Sequence, residues 1–258
     1  MKDILLSEKS GRIATITLNR PEKKNALNPA LVNALDEAVT EASADPDVKV
    51  ILLRAAGDVF CAGADLEVLR NLRNASYEDN LEDSRRLSNM FYKIHNSPKI
   101  VIAAVHGHAI AGGCGLVTVC DLAVAREGAM LGYSETRIGF VPAIVTRYLI
   151  GKTGITAAKK LLLTGELINA GEAARIGLVT ESAADADFES RIEHWVTTFL
   201  EKTSGDALSA AKKLIHYVSD HPAEESTRYA IETNAISRDS EDCRKGIDAF
   251  LSGDRIRW

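Results

Sequence analysis

Lys99-Ile-Val-Ile-Ala-Ala-Val105 runs into His106-Gly-His-Ala-Ile-Ala-Gly-Gly-Cys-Gly115, and this stretch decides the fold class. A run of β-branched and small apolar residues reads as a strand. It breaks into a turn of Gly and Ala, after which a short helix is expected over 116–120 and a further strand over 121–125. The same order occurs earlier in the chain. Residues 48–54 (VKVILLR) read as a buried strand, and Phe60-Cys-Ala-Gly-Ala-Asp65 is a second small-residue turn. The two units share a pattern without sharing a sequence, so they are a structural echo and no repeat. Strand, turn and helix in succession give an α/β core.

Working outward, 13–18 (IATITL) is predicted as a strand that ends at Asn19-Arg20-Pro21. Asn28 is a predicted N-cap with Pro29 at the first helical position. Leu31, Leu35, Ala38, Val39 and Ala42 then share one helical face, and Asp45-Pro46-Asp47 breaks the helix. The polar stretch 70–86 is the most lid-like part of the chain. Leu87, Met90, Phe91 and Ile94 mark another amphipathic helix, closed by Ser97-Pro98. From about 188 the pattern is helical only. Ala207, Leu208, Ala211, Leu214, Ile215 and Val218 make one stripe, and Pro222 opens the next helix. The expected organisation is an α/β core over 1–187 and a helical region over 188–258. That region either covers its own core or packs on another subunit.

The bulk numbers exclude several classes. The chain has 258 residues, 46% of them hydrophobic and 26% charged, the composition of a protein that buries a real core. A net charge of −5 gives no broad footprint for nucleic acid. A polyanionic ligand would have to meet a local basic cluster. The four cysteines, Cys61, Cys114, Cys120 and Cys243, have neither zinc-ribbon nor disulfide-framework spacing, which fits a reducing compartment. No signal peptide is visible and no stretch reaches the roughly 18 apolar residues of a membrane span. A cytoplasmic protein is expected, with no membrane partner.

The two small-residue turns carry the chemical signal. A strand that ends in Gly and Ala before a helix leaves backbone N–H groups unpaired. Two such turns converging on one point would make an oxyanion hole. Other motifs fail. Gly151-Lys152-Thr153 has the ending of a P-loop, but position 146 is Thr where that loop needs Gly. His106 and His108 have ligand-like spacing without a third ligand, so no metal site is expected. Neither G-x-G-x-x-G after a strand nor G-x-S-x-G is present.

Several segments in fixed order closely resemble the successive signatures of the crotonase (enoyl-CoA hydratase/isomerase) family. They are Asn19-Arg-Pro-Glu-Lys-Lys-Asn-Ala-Leu27, Phe60-Cys-Ala-Gly-Ala-Asp-Leu66, Ala103 through Leu116, and 131–142 (LGYSETRIGFVP). Leu163-Thr-Gly165, Ala170-Gly-Glu-Ala173, Gly177-Leu-Val179 and Gly246-Ile-Asp-Ala-Phe-Leu251 follow. The resemblance spans about 13–251 and is more specific than any single motif.

The resemblance implies a crotonase-like spiral of β-β-α turns, with a helical C-terminal region that builds homotrimers, often paired into hexamers. It implies an acyl-CoA thioester as substrate, with no cofactor beyond the coenzyme A the substrate carries. Carried over by motif, the N–H groups of Ala64 and Gly112 would form the oxyanion hole, and Glu135 would be the acid/base. The same carry-over gives Lys23, Ala26, Ala62, Gly63, Asp65, Leu66, Gly113, Pro142 and Phe250 as substrate- and CoA-binding residues. Phe250 would lie near the adenine. Lys23, Lys24, Arg255 or Arg257 would meet the CoA phosphates, because Glu67 stands where many relatives have a basic residue.

The chain departs from the family pattern in two further places. Relatives usually carry a second catalytic glutamate after the Gly-Gly-Cys run, where this chain has Gly115. Ala143-Ile-Val-Thr146 replaces glycines and is expected to narrow or redirect the acyl pocket. The resemblance implies an enoyl-CoA hydratase. The lone glutamate equally suits a Δ3,Δ2-enoyl-CoA isomerase, unless Glu78, Asp79, Glu82 or Asp83 supplies a second carboxylate. Family branches acting on methylglutaconyl-CoA are similar around the Gly-Leu pair and the Phe-Val-Pro-Ala segment. A CoA-binding scaffold whose catalysis has decayed is the rival from another class.

Overall fold

A computed structural model describes residues 3–256 and 258. The chain opens with β1 (Leu5–Ser10) and β2 (Ile13–Leu18), an antiparallel pair, and continues through α1 (Pro29–Ala44) to β3 (Val50–Ala55). After α2 (Leu66–Leu72) and α3 (Tyr77–Asn96) come β4 (Ile100–Val105), β5 (Ala109–Ile110), α4 (Gly112–Val119) and β6 (Leu122–Arg126). β7 (Met130–Gly132), α5 (Ala143–Thr164), β8 (Leu167–Asn169), α6 (Ala170–Arg175) and β9 (Glu181–Ala183) complete the core. The chain ends in α7 (Phe188–Lys202), α8 (Gly205–Asp220), α9 (Ala223–Arg238) and α10 (Glu241–Ser252).

The main sheet runs β1-β2-β3-β4-β6-β9 and is parallel from β2 onward. Parallel strands covered on both faces need continuous apolar runs. β4 has them, with all six residues of IVIAAV buried. The small sheet β5-β7-β8 stands beside it and brings the turn over 106–115 against the segment that carries Glu135. Helices α1, α3, α4 and α5 pack on one face of the main sheet around Leu31, Leu35, Phe91, Leu116 and Leu149. α7 covers the other face, with Phe188, Ile192 and Val196 against Val50, Ile102 and Val124. The first helix of the C-terminal region therefore covers its own core.

α1 begins as its sequence dictates, with the Asn28 side chain accepting from Leu31 N–H at 2.9 Å and Pro29 at the first position. Two expectations change. The polar stretch 70–86 is largely helical, because Ser76 and Asp79 form a reciprocal capping box that starts α3 at Tyr77, thirteen residues before its first buried residue, Met90. The helix expected from 116 starts at Gly112 and takes the glycine turn into its first turn. Among the described residues, no helix is long and apolar enough to cross a membrane.

Candidate active site

The two small-residue turns lie back to back. Cys61 N–H donates to His108 C=O at 3.1 Å and Ile110 N–H to Cys61 C=O at 2.9 Å, a parallel bridge between segments 48 residues apart in sequence. Gly63 has φ +92, and a Cβ there would stand 2.9 Å from the Cβ of Ala111. Only glycine meets both demands at once.

That turn is clamped from the other side by Leu27. Leu27 N–H donates to Gly63 C=O at 2.7 Å, and Asp65 N–H donates to Leu27 C=O at 2.8 Å. The bridge uses the groups on either side of Ala64 and leaves the Ala64 amide out of the ladder. Gly112 is the first residue of α4, whose first-turn amides lack intrahelical partners. Both residues line one cavity of about 330 Å³, and Glu135 lines it with them. The N-terminal end of α4 adds its partial positive charge at the same place.

Two devices hold α4 in this position. Ala111, its N-cap, sits at φ 52 and ψ −124, a conformation that costs a residue with a Cβ about 1–3 kcal/mol. The Ala111 N–H is held by Gly132 C=O at 2.8 Å. At the far end, the ammonium of Lys152 donates to Cys120 C=O at 2.6 Å and to the carbonyls of Val117 and Thr118, each at 3.3 Å. Burial pushes the Lys152 pKa down. Sequence reading missed both residues. An alanine gives no sign that its backbone is strained, and Lys152 lies 32 residues from the Cys120 carbonyl it caps.

Glu135 opens a short 3-10 turn, Glu135–Ile138, and is half-buried. Among the described residues its buried Oε2 has no hydrogen-bond partner. Burial drives its pKa up, and a hydrogen bond from its own backbone N–H offsets part of the rise. A carboxyl group raised by burial and lining the same cavity as the two backbone amides suits proton transfer.

No side chain stands at Gly115, and the space beyond it is already filled. A Cβ there would come within 2.7 Å of both Phe91 Cζ and Val145 Cγ1. Val145, with Ala143 and Ile144, forms the pocket wall that the 143–146 substitutions were expected to reshape. Of the four acidic residues of the 70–86 stretch, Asp83 lines this cavity. Asp79 is used in the helix cap, and Glu78 and Glu82 are exposed.

The other sequence candidates divide. Ala62, Leu66 and Pro142 line the cavity. Ala26, Gly63 and Gly113 stand behind it: Ala26 C=O accepts from Arg20 Nη1 at 2.7 Å, and Gly113 packs on the Cys61 backbone. Asp65 is buried in an ion pair with Arg20 at 2.9 Å and caps α2 through Glu67 N–H at 3.0 Å. Its carboxylate therefore clamps the turn to Arg20 and starts α2. Lys23 and Lys24 are exposed outside the cavity. Phe250 lies 85% exposed in a separate groove with residues of α8 and α9, away from Glu135 within this chain. Arg255 is exposed, and Arg257 lies outside the described residues. His106 Nε2 pairs with Gly57 C=O at 2.7 Å, and His108 Nδ1 accepts from Met130 N–H at 3.0 Å, so both are engaged in turns.

Known proteins resemble this chain along nearly its whole length. A family model described as enoyl-CoA hydratase/isomerase matches residues 8–258. A Thermus thermophilus protein that bears an enoyl-CoA hydratase name is 37% identical over 247 residues, covering 96% of this chain and 97% of the relative. The 2,3-dehydroadipyl-CoA hydratase of Escherichia coli is 31% identical over 253 residues, covering 97% and 96%. The crystal structure of an enoyl-CoA hydratase from Mycobacterium smegmatis superposes with a TM-score of 0.94 at 33% identity, covering 100% and 99% of the two chains. The paired turns, the parallel sheet with its helical C-terminal region and these full-length matches place the chain in the enoyl-CoA hydratase/isomerase (crotonase) family.

Proposed function

We propose that this protein is an enoyl-CoA hydratase that adds water to a 2-enoyl-CoA through an enolate held by Ala64 and Gly112. The observation that carries this reading is the unpartnered Oε2 of Glu135, buried in the same cavity as those two amides. The thioester oxygen would accept from both N–H groups. Water bonds to the β-carbon, the C=C pair moves onto the thioester oxygen, and Glu135 gives its proton to the α-carbon. The proton released by the water then returns Glu135 to its acid form. Donors aimed where charge develops are each worth about 3–4 kcal/mol in the transition state. Ala62, Leu66 and Pro142 line the path of the acyl-CoA. The coenzyme A of the substrate is the only cofactor this chemistry requires.

A second reading, Δ3,Δ2-enoyl-CoA isomerase, is favoured by one observation: Phe91 and Val145 occupy the space beside Gly115 where a second carboxylate would reach. A single carboxyl group shuttles a proton between two carbons without a positioned water. Incubating the protein with crotonyl-CoA, methylglutaconyl-CoA and a 3-enoyl-CoA, with products read by mass, separates the readings. Gain of one water on a 2-enoyl substrate supports the hydratase. Isomerisation of the 3-enoyl substrate without hydration supports the isomerase. Acyl-CoA binding without turnover of any substrate would leave a scaffold.

We also infer a cytoplasmic homotrimer or a pair of trimers. Exposed apolar side chains along α8 to α10, among them Ile215, Ile231, Ile236 and Leu251, support assembly of this region against other subunits. Sedimentation at three or six chain masses is the expected result.

A further inference from the structure

We infer that the acyl pocket takes a short 2-enoyl-CoA whose chain ends in a carboxylate, and that the guanidinium of Arg86 receives that carboxylate. The inference rests on the reading of the site as an enoyl-CoA pocket.

The pocket wall contributed by α2, α3 and residues 138–145 is aliphatic, with Leu69, Leu72, Leu87, Ile138 and Val141 among its side chains. The charged side chains that line the cavity are Glu135, Asp83 and Arg86. With Glu135 assigned to proton transfer, the Asp83–Arg86 pair remains without a task. The pair is loose: Arg86 Nη1 lies 3.7 Å from Asp83 Oδ1, beyond hydrogen-bond range. A contact of this kind between part-exposed groups contributes little. Arg86 is nevertheless about two-thirds covered, at 32% side-chain exposure, and among the described residues its guanidinium donates no hydrogen bond. Arg86 thus stands on the wall of a largely aliphatic cavity with five N–H donors that no protein acceptor takes up among the described residues.

Position completes the argument. Phe91 abuts Gly115, one turn into the helix that begins with Gly112. Arg86 precedes Phe91 by five residues on α3, about 7.5 Å along the axis and about 140° around it, and it lines the same cavity of about 330 Å³ as Gly112. A short acyl chain with its thioester at Gly112 would lie in that cavity with Arg86 on its wall. A methyl end placed there would strip water from the guanidinium and return nothing. A carboxylate would return two parallel charge-assisted hydrogen bonds. Asp83 competes with it and so lowers the affinity, a sign that can be measured.

The test compares hex-2-enoyl-CoA with hex-2-enedioyl-CoA, equal in length and differing only in the terminal carboxylate. Turnover is measured as kcat/KM, and binding of the saturated analogues hexanoyl-CoA and adipoyl-CoA is measured by calorimetry. The expected preference for the carboxylate-ended compound is about tenfold or more. Arg86→Met should abolish the preference, and Asp83→Asn should raise it. A wild-type ratio near one, or a ratio that Arg86→Met leaves intact, overturns the inference. If neither enoyl compound is turned over but adipoyl-CoA still binds more tightly in an Arg86-dependent way, the hydratase reading falls and the assignment of Arg86 stands.

Discussion

The hydroxyl of Tyr133 lies 2.5 Å from that of Thr118, and both side chains are buried in the core. Thr118 in turn donates to Cys114 C=O at 2.9 Å inside α4. Tyr133 is two residues from Glu135, so this contact ties the acid/base segment to the helix that carries Gly112. The Ala111 to Gly132 hydrogen bond is the second tie between the same two pieces. Removing the Tyr133 hydroxyl should therefore loosen a geometry as well as a fold. Tyr133→Phe is expected to lower kcat about tenfold with a smaller change in KM, and to cost about 1 kcal/mol in denaturant unfolding. Equal loss in kcat and in acyl-CoA affinity would point to general softening of the pocket and against a positioning role.

The raised pKa of Glu135 fixes the pH dependence of each reading. Hydration begins with the proton on Glu135, so kcat/KM for a 2-enoyl-CoA should fall as pH rises through the raised value. Isomerisation begins with the carboxylate, so kcat/KM for a 3-enoyl-CoA should fall as pH drops through it. The limb should lie above the ordinary glutamate pKa of about 4.3, and a limb at or below that value would mean that Glu135 is not the group that titrates.

The same group sets a stability signature. Ionised Glu135 is costly in the folded state, because its charge is partly desolvated and its Oε2 has no partner. That cost is absent below the unfolded pKa of about 4.3 and grows until pH passes the raised native value. Glu135→Gln should thus melt at a higher temperature than the wild type at pH 7 and at the same temperature near pH 4, while turnover is lost and acyl-CoA binding is kept. A lower melting temperature at neutral pH would show that the carboxylate is paired in solution.

Gly115 makes a packing prediction. With Phe91 Cζ and Val145 Cγ1 each 2.7 Å from a would-be Cβ, Gly115→Ala should destabilise the fold by about 1–3 kcal/mol. Val145→Ala in the same chain should recover part of that loss, because it removes one of the two clashing groups. Strictly additive effects in a double-mutant cycle would mean that the two positions do not touch.

How much of this was legible in the sequence depends on the range of each interaction. Asn28-Pro29 announced the start of α1 because a cap is decided within four residues. The Ser76–Asp79 box that starts α3 is just as local, but it lies in a polar stretch without the apolar periodicity that marks a helix. The resemblance put Ala64, Gly112 and Glu135 in one site, and the structure brings the three to one cavity. It did not reveal why Gly115 is glycine, since Phe91 and Val145 reach it from two other helices. Nor did it separate Asp65 from its neighbours. That residue sits inside a ligand-like motif, yet its partner Arg20 is 45 residues away.

The Arg20–Asp65 pair yields the last prediction. The side chains are 11% and 7% exposed, so each neutralises a charge that water no longer screens. Asp65 is held below its usual pKa by the Glu67 N–H and by Arg20. Its stabilisation is complete above the unfolded value of about 3.9 and disappears as pH falls through the lower native value. Asp65→Asn keeps an oxygen to cap α2 but leaves Arg20 buried beside a neutral group, a change expected to cost about 3 kcal/mol at neutral pH. Because Ala64 precedes Asp65 directly, the same substitution should also lower kcat by displacing the Ala64 amide. Arg20→Leu combined with Asp65→Asn removes the stranded charge and should regain stability relative to Asp65→Asn alone. It should leave kcat low, since Arg20 also holds the Ala26 carbonyl behind the pocket. Recovery of both stability and kcat in the double variant would show that the stranded Arg20 charge, and not loss of the grip on the turn, is what impairs Asp65→Asn.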